Sequence, residues 1–541
     1  MMKLARKKPG AKLVLIWRSA LFLAVGIVQL MVASTVHATC KFQGQQIEEG
    51  KDVKAFMDAY VPLGDTCISQ TRTCRNSKLT GGYFHASCQA VRFVKPTDTR
   101  NFQRSDVMLT VRLVKHYYNR PWYNAFIQFH ANRIVWTYAG EQLLQDVRVV
   151  DKIPVQCALE YWVPAVHPQR DQMSCLKKDA AGNTLGFAEH PVYKLRIPDT
   201  NTQAWRDFAA AKAKKLTFLG CSSFVQDVPA IMAVTRNTRS FIGDGCHSEE
   251  SESLYKKFRR NDAGGSYPDF MKQSVLEYHG WLHNVIRQTA RDLDPNYAIS
   301  FSANTSAVTP AHIKEDSWFF PLFDFLQAEV FGDFSRNDVS KTITELARYL
   351  NAKDAKQHPT VLTLRSDSTD VDNIAYLRRT TMSTYSLGMV PMIPWTASAL
   401  TDDPLNYYFA EPRDFSDIYK MVRSWPKLFD NFSPSDVESM LRPGKTFNST
   451  LTLRTSSADF LVTSRAHVGG ESFKTVSLVN WTGKRDNVWI DLKKSEYSHK
   501  PNSMLSLGLA KPLPIVAEDT GDYYRYHLAS PADWIILFYA D

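Results

Sequence analysis

No acidic residue occurs in the first 39 positions, although Lys3, Arg6, Lys7, Lys8, Lys12 and Arg18 do. An apolar run from Ala20 to Ala33 follows this basic start and leads to Val36-His37-Ala38. That is the pattern of a cleaved secretory leader over 1–39, with an uncleaved anchor as the alternative. No later segment is apolar enough to span a bilayer, so no stable membrane insertion is expected after cleavage. A strong charge excess is also missing. The formal net charge is +10, and removing the six leader cations lowers it to +4, so a nucleic-acid partner is not implied. No two of the eight cysteines have C-x-x-C spacing, and the strand candidates offer no H-x-H or H-E-x-x-H. No metal site and no cofactor are therefore expected.

What is present is ample. The chain has 541 residues, of which 44% are hydrophobic and 12% aromatic, enough for two or three domains with a large core. All eight cysteines (40, 67, 74, 88, 157, 175, 221 and 246) follow the leader, and an even count in an exported chain predicts disulfides. Residues 40–92 hold four of them amid polar, turn-rich sequence, as expected of a small disulfide-rich N-terminal module. Three pairings of these four are possible, and spacing does not choose among them.

Residues 93–435 alternate short apolar runs with amphipathic helical stretches, the rhythm of a (β/α)₈ TIM barrel and hence of the α/β class. Eight strand candidates follow one another: 133–138, 155–162, 192–197, 223–227, 298–302, 323–330, 360–365 and 389–395. Helices are expected over 203–215, 249–259, 270–293, 339–350 and 374–386. Residues 436–541 change to alternating strands at 446–454, 460–464, 474–480, 488–492, 523–528 and 534–539, which predicts a C-terminal β-sandwich.

In such a barrel the working groups sit at the C-terminal ends of the strands. The fourth candidate closes on Gln226-Asp227, the sixth on Glu329, the seventh on Arg365-Ser366-Asp367 and the eighth on Pro394-Trp395. Glycosidic cleavage needs one carboxylic acid for the leaving oxygen and one carboxylate for the sugar or a water, and Asp227 and Glu329 supply that pair. Trp136, Tyr138 and Trp395 offer flat faces for sugar rings, and Gln226, Asn304, Arg365 and Asp367 offer partners for sugar hydroxyls.

Other groups have plainer readings. Asp244 lies in a solvated Gly-Asp-Gly turn, and Glu249 and Glu250 suit a helix start. Cys246 beside His247, near Cys221, reads as a disulfide cysteine rather than a nucleophile.

The run SFVQDVPA, followed by GDGCHSEESESLYKKF, resembles the fourth-strand segment of family-42-like and related barrel glycoside hydrolases. RIVWTYAG, FDFLQAEV, MVPMIPWTA and FAEPRDFSDIYKMVRSW are similar to the first, sixth and eighth strands and the post-barrel helix of these enzymes. The resemblance covers roughly 130–430. It implies a carboxylate mechanism on a carbohydrate polymer or oligosaccharide, while the expected leader implies a periplasmic or secreted protein. Val228 and Trp395-Thr396 stand where related segments carry further acids, so an inactive carbohydrate-binding or polysaccharide-export accessory protein is the alternative. Sugar, linkage and stereochemistry stay open.

Overall fold

The computed structural model describes residues 39–83, 85–96, 102–110, 125–137, 144, 153–159, 162–165, 167–178, 181–189, 195–227, 246–261, 264–305, 317–330, 360–364, 371–393, 411–435, 437–469 and 473–540. Residues 1–38, most of the expected leader, and the helix expected at 339–350 lie outside them. Two compact units emerge, one of residues up to 59 with 66–89, the other of 60–65 with everything from 90 onward.

The first unit is a set of short antiparallel ribbons. Thr39–Phe42 pairs with Gln45–Glu48, and Ser69–Arg75 pairs with both Asp52–Phe56 and Lys78–Leu79. Gln43-Gly44 and Asn76-Ser77 form two-residue hairpin turns, and all four residues have positive φ, as such turns demand. Cys40–Cys74 and Cys67–Cys88 are the bonded pairs, which resolves the connectivity that spacing left open.

In the second unit eight parallel strands close into a barrel. Their order is Met108–Thr110, Arg133–Thr137, Val155–Leu159, Ser223–Asp227, Ser300–Thr305, Phe325–Val330, Thr360–Leu364 and Val390–Ile393, with the eighth pairing back to the first. The TIM-barrel expectation stands, but two strand assignments change. The first strand is Met108–Thr110, so RIVWTY is the second strand and not the first. The candidate at 192–197 is not a barrel strand. Its described part makes only isolated bridges, Arg196 with Val163 and with Glu189. The alternating V-Y-K-L-R-I has strand periodicity, whereas barrel strands two, three and four are buried at every position, as central parallel strands are.

The helices follow their caps. Thr202 accepts from the Trp205 amide at the start of Gln203–Phe218. Ser266 and Asp269 form a reciprocal capping box for Tyr267–Leu293, with Pro268 in its first turn. Glu249 and Glu250 do begin a helix, Glu249–Asn261, at its positive dipole end.

Past the barrel, two antiparallel sheets of six and four strands face one another. Phe460, Val462, Val476 and Leu478 of one sheet pack with Leu453, Ile490, Leu492 and Tyr526 of the other. The six-stranded sheet docks on the barrel helix Val371–Ser386. Trp481 Nε1 donates to Ser383 Oγ at 3.2 Å, Ser386 bonds Ser477 at 2.7 Å, and Trp534 stacks on Tyr385. No helix among the described residues is long and apolar enough to cross a membrane.

Candidate active site at the barrel mouth

The barrel interior is identified by hydrogen bonds that span it. Gln156 on strand three donates from Nε2 to Ser302 Oγ on strand five at 3.0 Å, although strand four lies between them. Ser302 donates to Gln327 Oε1 on strand six at 2.9 Å, and Gln327 Nε2 donates back to Gln156 Oε1 at 3.1 Å. All three side chains are buried, and only the interior can hold so closed a ring. It satisfies polar groups at a depth where each unpaired one costs about 1–3 kcal/mol.

One period further along strand five stands Asn304, on the same face as Ser302. Its backbone is in register with Asp227 on strand four and with Gln327 on strand six. Asn304 Nδ2 donates to Asp227 Oδ1 at 2.7 Å, so the two side chains meet inside the mouth formed by the strands' C-terminal ends. Asp227 is only 1% exposed and Asn304 wholly buried, and a carboxylate at that depth requires such a donor.

The remaining sequence-predicted residues divide. Gln226 falls on the opposite face of strand four by the two-residue alternation. Its Nε2 contacts the Asp227 carbonyl at 3.3 Å, so it does not join the Asp227–Asn304 pair. Trp136 is buried on strand two, at a bulge. Ile134 pairs with Val155 and Thr137 with Cys157, leaving one extra residue between them. Trp136 has φ +50°, and its amide donates to Gln156 Oε1 at 3.1 Å instead of to the ladder. A non-glycine residue in this region is strained, and bulges at barrel rims re-aim side chains near sites.

Glu329 occupies strand six in register with Thr363 of strand seven, and its side chain lies outside the described residues. Tyr138, Arg365, Asp367 and Trp395 also lie outside them, as does Asp244.

Sequence reasoning missed the interior ring, since Gln156 and Gln327 sit within apolar runs. A lone polar residue inside such a run was the available signal. It also missed Thr110, buried at the end of the first strand. Cys246 is disulfide-bonded, but to Cys175, while Cys221 pairs with Cys157. His247 instead bonds Glu252 at 2.7 Å through Nδ1 and stacks on Tyr267. Among the described residues no three His, Cys, Asp or Glu side chains gather as metal ligands would.

No protein-family model matches the chain, and no curated protein matches it. Among solved structures it is similar to the debranching enzyme of Nostoc punctiforme, at 10% identity over 83% of this chain and 100% of that one, with a TM-score of 0.45. Similar too are isomaltulose synthase from Klebsiella sp. LX3 (9% identity, 82% and 100% covered, TM-score 0.48) and α-amylase from H. orenii (9%, 81% and 100%, 0.48). With TM-scores below 0.5, the barrel assignment stands on its closed strand order alone.

Proposed function

We propose that this chain is an exported glycoside hydrolase acting on a polysaccharide or oligosaccharide through Asp227 and Glu329. The observation that carries the reading is the Asp227–Asn304 bond at 2.7 Å, at the end of the barrel where TIM-barrel chemistry takes place. The amide fixes the direction of the carboxylate, which suits a group that attacks the anomeric carbon or orients a water. Position 329 follows interior position 327 by one strand period, which supports Glu329 as the second acid. It is the partner required to protonate the leaving oxygen. SFVQD as the fourth barrel strand agrees with the family-42-like resemblance of that segment. Four disulfides suit a periplasmic or secreted protein.

The test is reducing-sugar release from a panel of bacterial and plant polysaccharides. Asp227→Asn and Glu329→Gln are each expected to lower the rate by about 10³-fold or more, with unchanged circular dichroism. Full activity in either variant removes that residue from the mechanism. Glycan binding without cleavage by the unmodified chain leaves the accessory-protein reading.

A further inference from the structure

The outer face of the four-stranded sheet, turned away from the sandwich core, carries an organised set of charges and rings. Arg454, Asp491, Arg525 and Glu518 stand in one register row across four adjacent strands. Arg525 takes Asp491 in a two-point ion pair, Nε to Oδ1 at 2.7 Å and Nη2 to Oδ2 at 2.9 Å. Glu518 bonds His527 at 2.9 Å. Both acids of the row are thereby engaged. The Arg454 guanidinium lies 4.2 Å from the Tyr523 ring centre and has no ion pair with a described carboxylate.

Arg454 lines a cleft of about 550 Å³ together with Trp489, Phe447, Leu451, Thr446 and Ser456. Arg525 covers one face of Trp489 at 4.1 Å, and Phe447 and Leu451 are exposed by 59% and 43% at the rim. Leu451 is held there at φ +54°. A leucine in left-handed conformation is strained where Gly or Asn would not be, and its side chain, being 43% exposed, recovers only part of the burial energy of a core leucine.

The loop is nonetheless fixed. Buried Asn448 donates to the Glu438 carbonyl and to Thr450 and Thr452 Oγ1, and accepts from the Thr452 and Leu453 amides. Tyr523 donates its hydroxyl to the Leu451 carbonyl at 3.0 Å. The molecule thus maintains a strained, exposed apolar rim beside a cation and a ring.

We infer that this cleft is a second glycan site, which takes an acidic polysaccharide by pairing a sugar carboxylate with Arg454 and laying the sugar's C–H face against Trp489. A guanidinium fork matches a carboxylate geometrically, and an indole suits an apolar pyranose face. Without the six leader cations the formal charge is only +4, so the preference for an acidic over a neutral glycan rests on Arg454 itself.

The experiment is affinity electrophoresis of the full chain carrying Asp227→Asn, in gels containing polygalacturonate or, separately, dextran. Retardation by polygalacturonate alone is expected, weakening as ionic strength rises. Arg454→Gln and Trp489→Ala should each weaken apparent affinity by about tenfold or more, the size of one charge-assisted contact. Arg454→Lys should recover part of the loss, with unfolding midpoints unchanged throughout. Equal retardation by dextran, none by polygalacturonate, or wild-type affinity in Arg454→Gln overturns the inference. Because binding is read in a chain that the proposed mechanism makes inactive, these failures are distinct from failure of the hydrolase reading, which shows as persisting cleavage in Asp227→Asn.

Discussion

His279 and His283, one turn apart on the helix Tyr267–Leu293, are buried among aromatic rings. His283 stacks on Phe301 at 3.8 Å, and both histidines pack against Phe323. Burial pushes His279 down to about 3, and burial, with the neighbouring His279 and Arg287, holds His283 well below the usual histidine range. Both are neutral in the fold. The unfolded chain therefore takes up more protons once pH drops below about 6.5, so stability is complete above that value and is lost towards pH 3. The slope reaches at most about 1.4 kcal/mol per pH unit for each histidine. Urea midpoints measured from pH 7 down to pH 5 should fall in the wild type and fall less in His279→Leu/His283→Leu, and parallel curves would clear the pair of this role. Neither histidine was legible as a special group, because an i, i+4 pair on a helix gives no sign of what the helix packs against. Asp227 was legible for the opposite reason, as a polar residue closing an apolar strand. Its partner Asn304 was named only as a sugar contact, since the register that joins them is set by the barrel.

Among the barrel strands, the first escaped prediction and is seated by contacts made outside its own short sequence. Met108–Thr110 is three residues long and has no room to show periodicity. It is anchored at its N-terminal end by buried Asp106, which meets Arg133 Nε at 3.3 Å, accepts from Asn132 Nδ2 at 2.7 Å and accepts from the Gln103 amide at 2.9 Å. Asn132 Oδ1 in turn accepts from the Val107 amide at 2.7 Å. Asp106→Ala leaves Arg133 buried without this carboxylate and should cost about 3–5 kcal/mol, read from denaturant unfolding. A cost near zero would mean that strand pairing alone seats the first strand. Strands four to eight, and Lys474–Asn480 and Tyr523–Leu528 in the sandwich, were legible because burial on both faces or on alternate faces leaves its pattern in the sequence. The seam between barrel and sandwich left none. There Arg465, pushed down to about 9 by burial, donates to the Phe429 and Phe432 carbonyls at 2.7 Å each and to that of Ser433 at 2.9 Å. An arginine inside a strand reads as surface until those carbonyls are known.

Across the whole molecule the two compact units are held together by different means. The larger has an apolar barrel surround and a sandwich core, so its two disulfides act in addition to extensive packing. In the smaller unit the buried apolar side chains among described residues are Phe42 and Ala55, besides Cys40 and Cys74 themselves. At about 25 cal/mol per Å², so little burial cannot offset the entropy of ordering some fifty residues. Its two bridges close loops with separations of 34 and 21 residues and remove about 3–4 kcal/mol each from the unfolded state in the chain-entropy treatment. The order of failure under reduction follows. With a thiol reductant and a trace of protease, cleavage should begin between residues 40 and 89 and leave a resistant fragment starting near residue 90. Cys40→Ser/Cys74→Ser should show the same pattern without reductant. A module that resists protease when reduced would have to draw its stability from contacts other than its own core. Simultaneous loss of both units would instead mean that Cys157–Cys221 and Cys175–Cys246 are as necessary to the barrel as the N-terminal bridges are to the module.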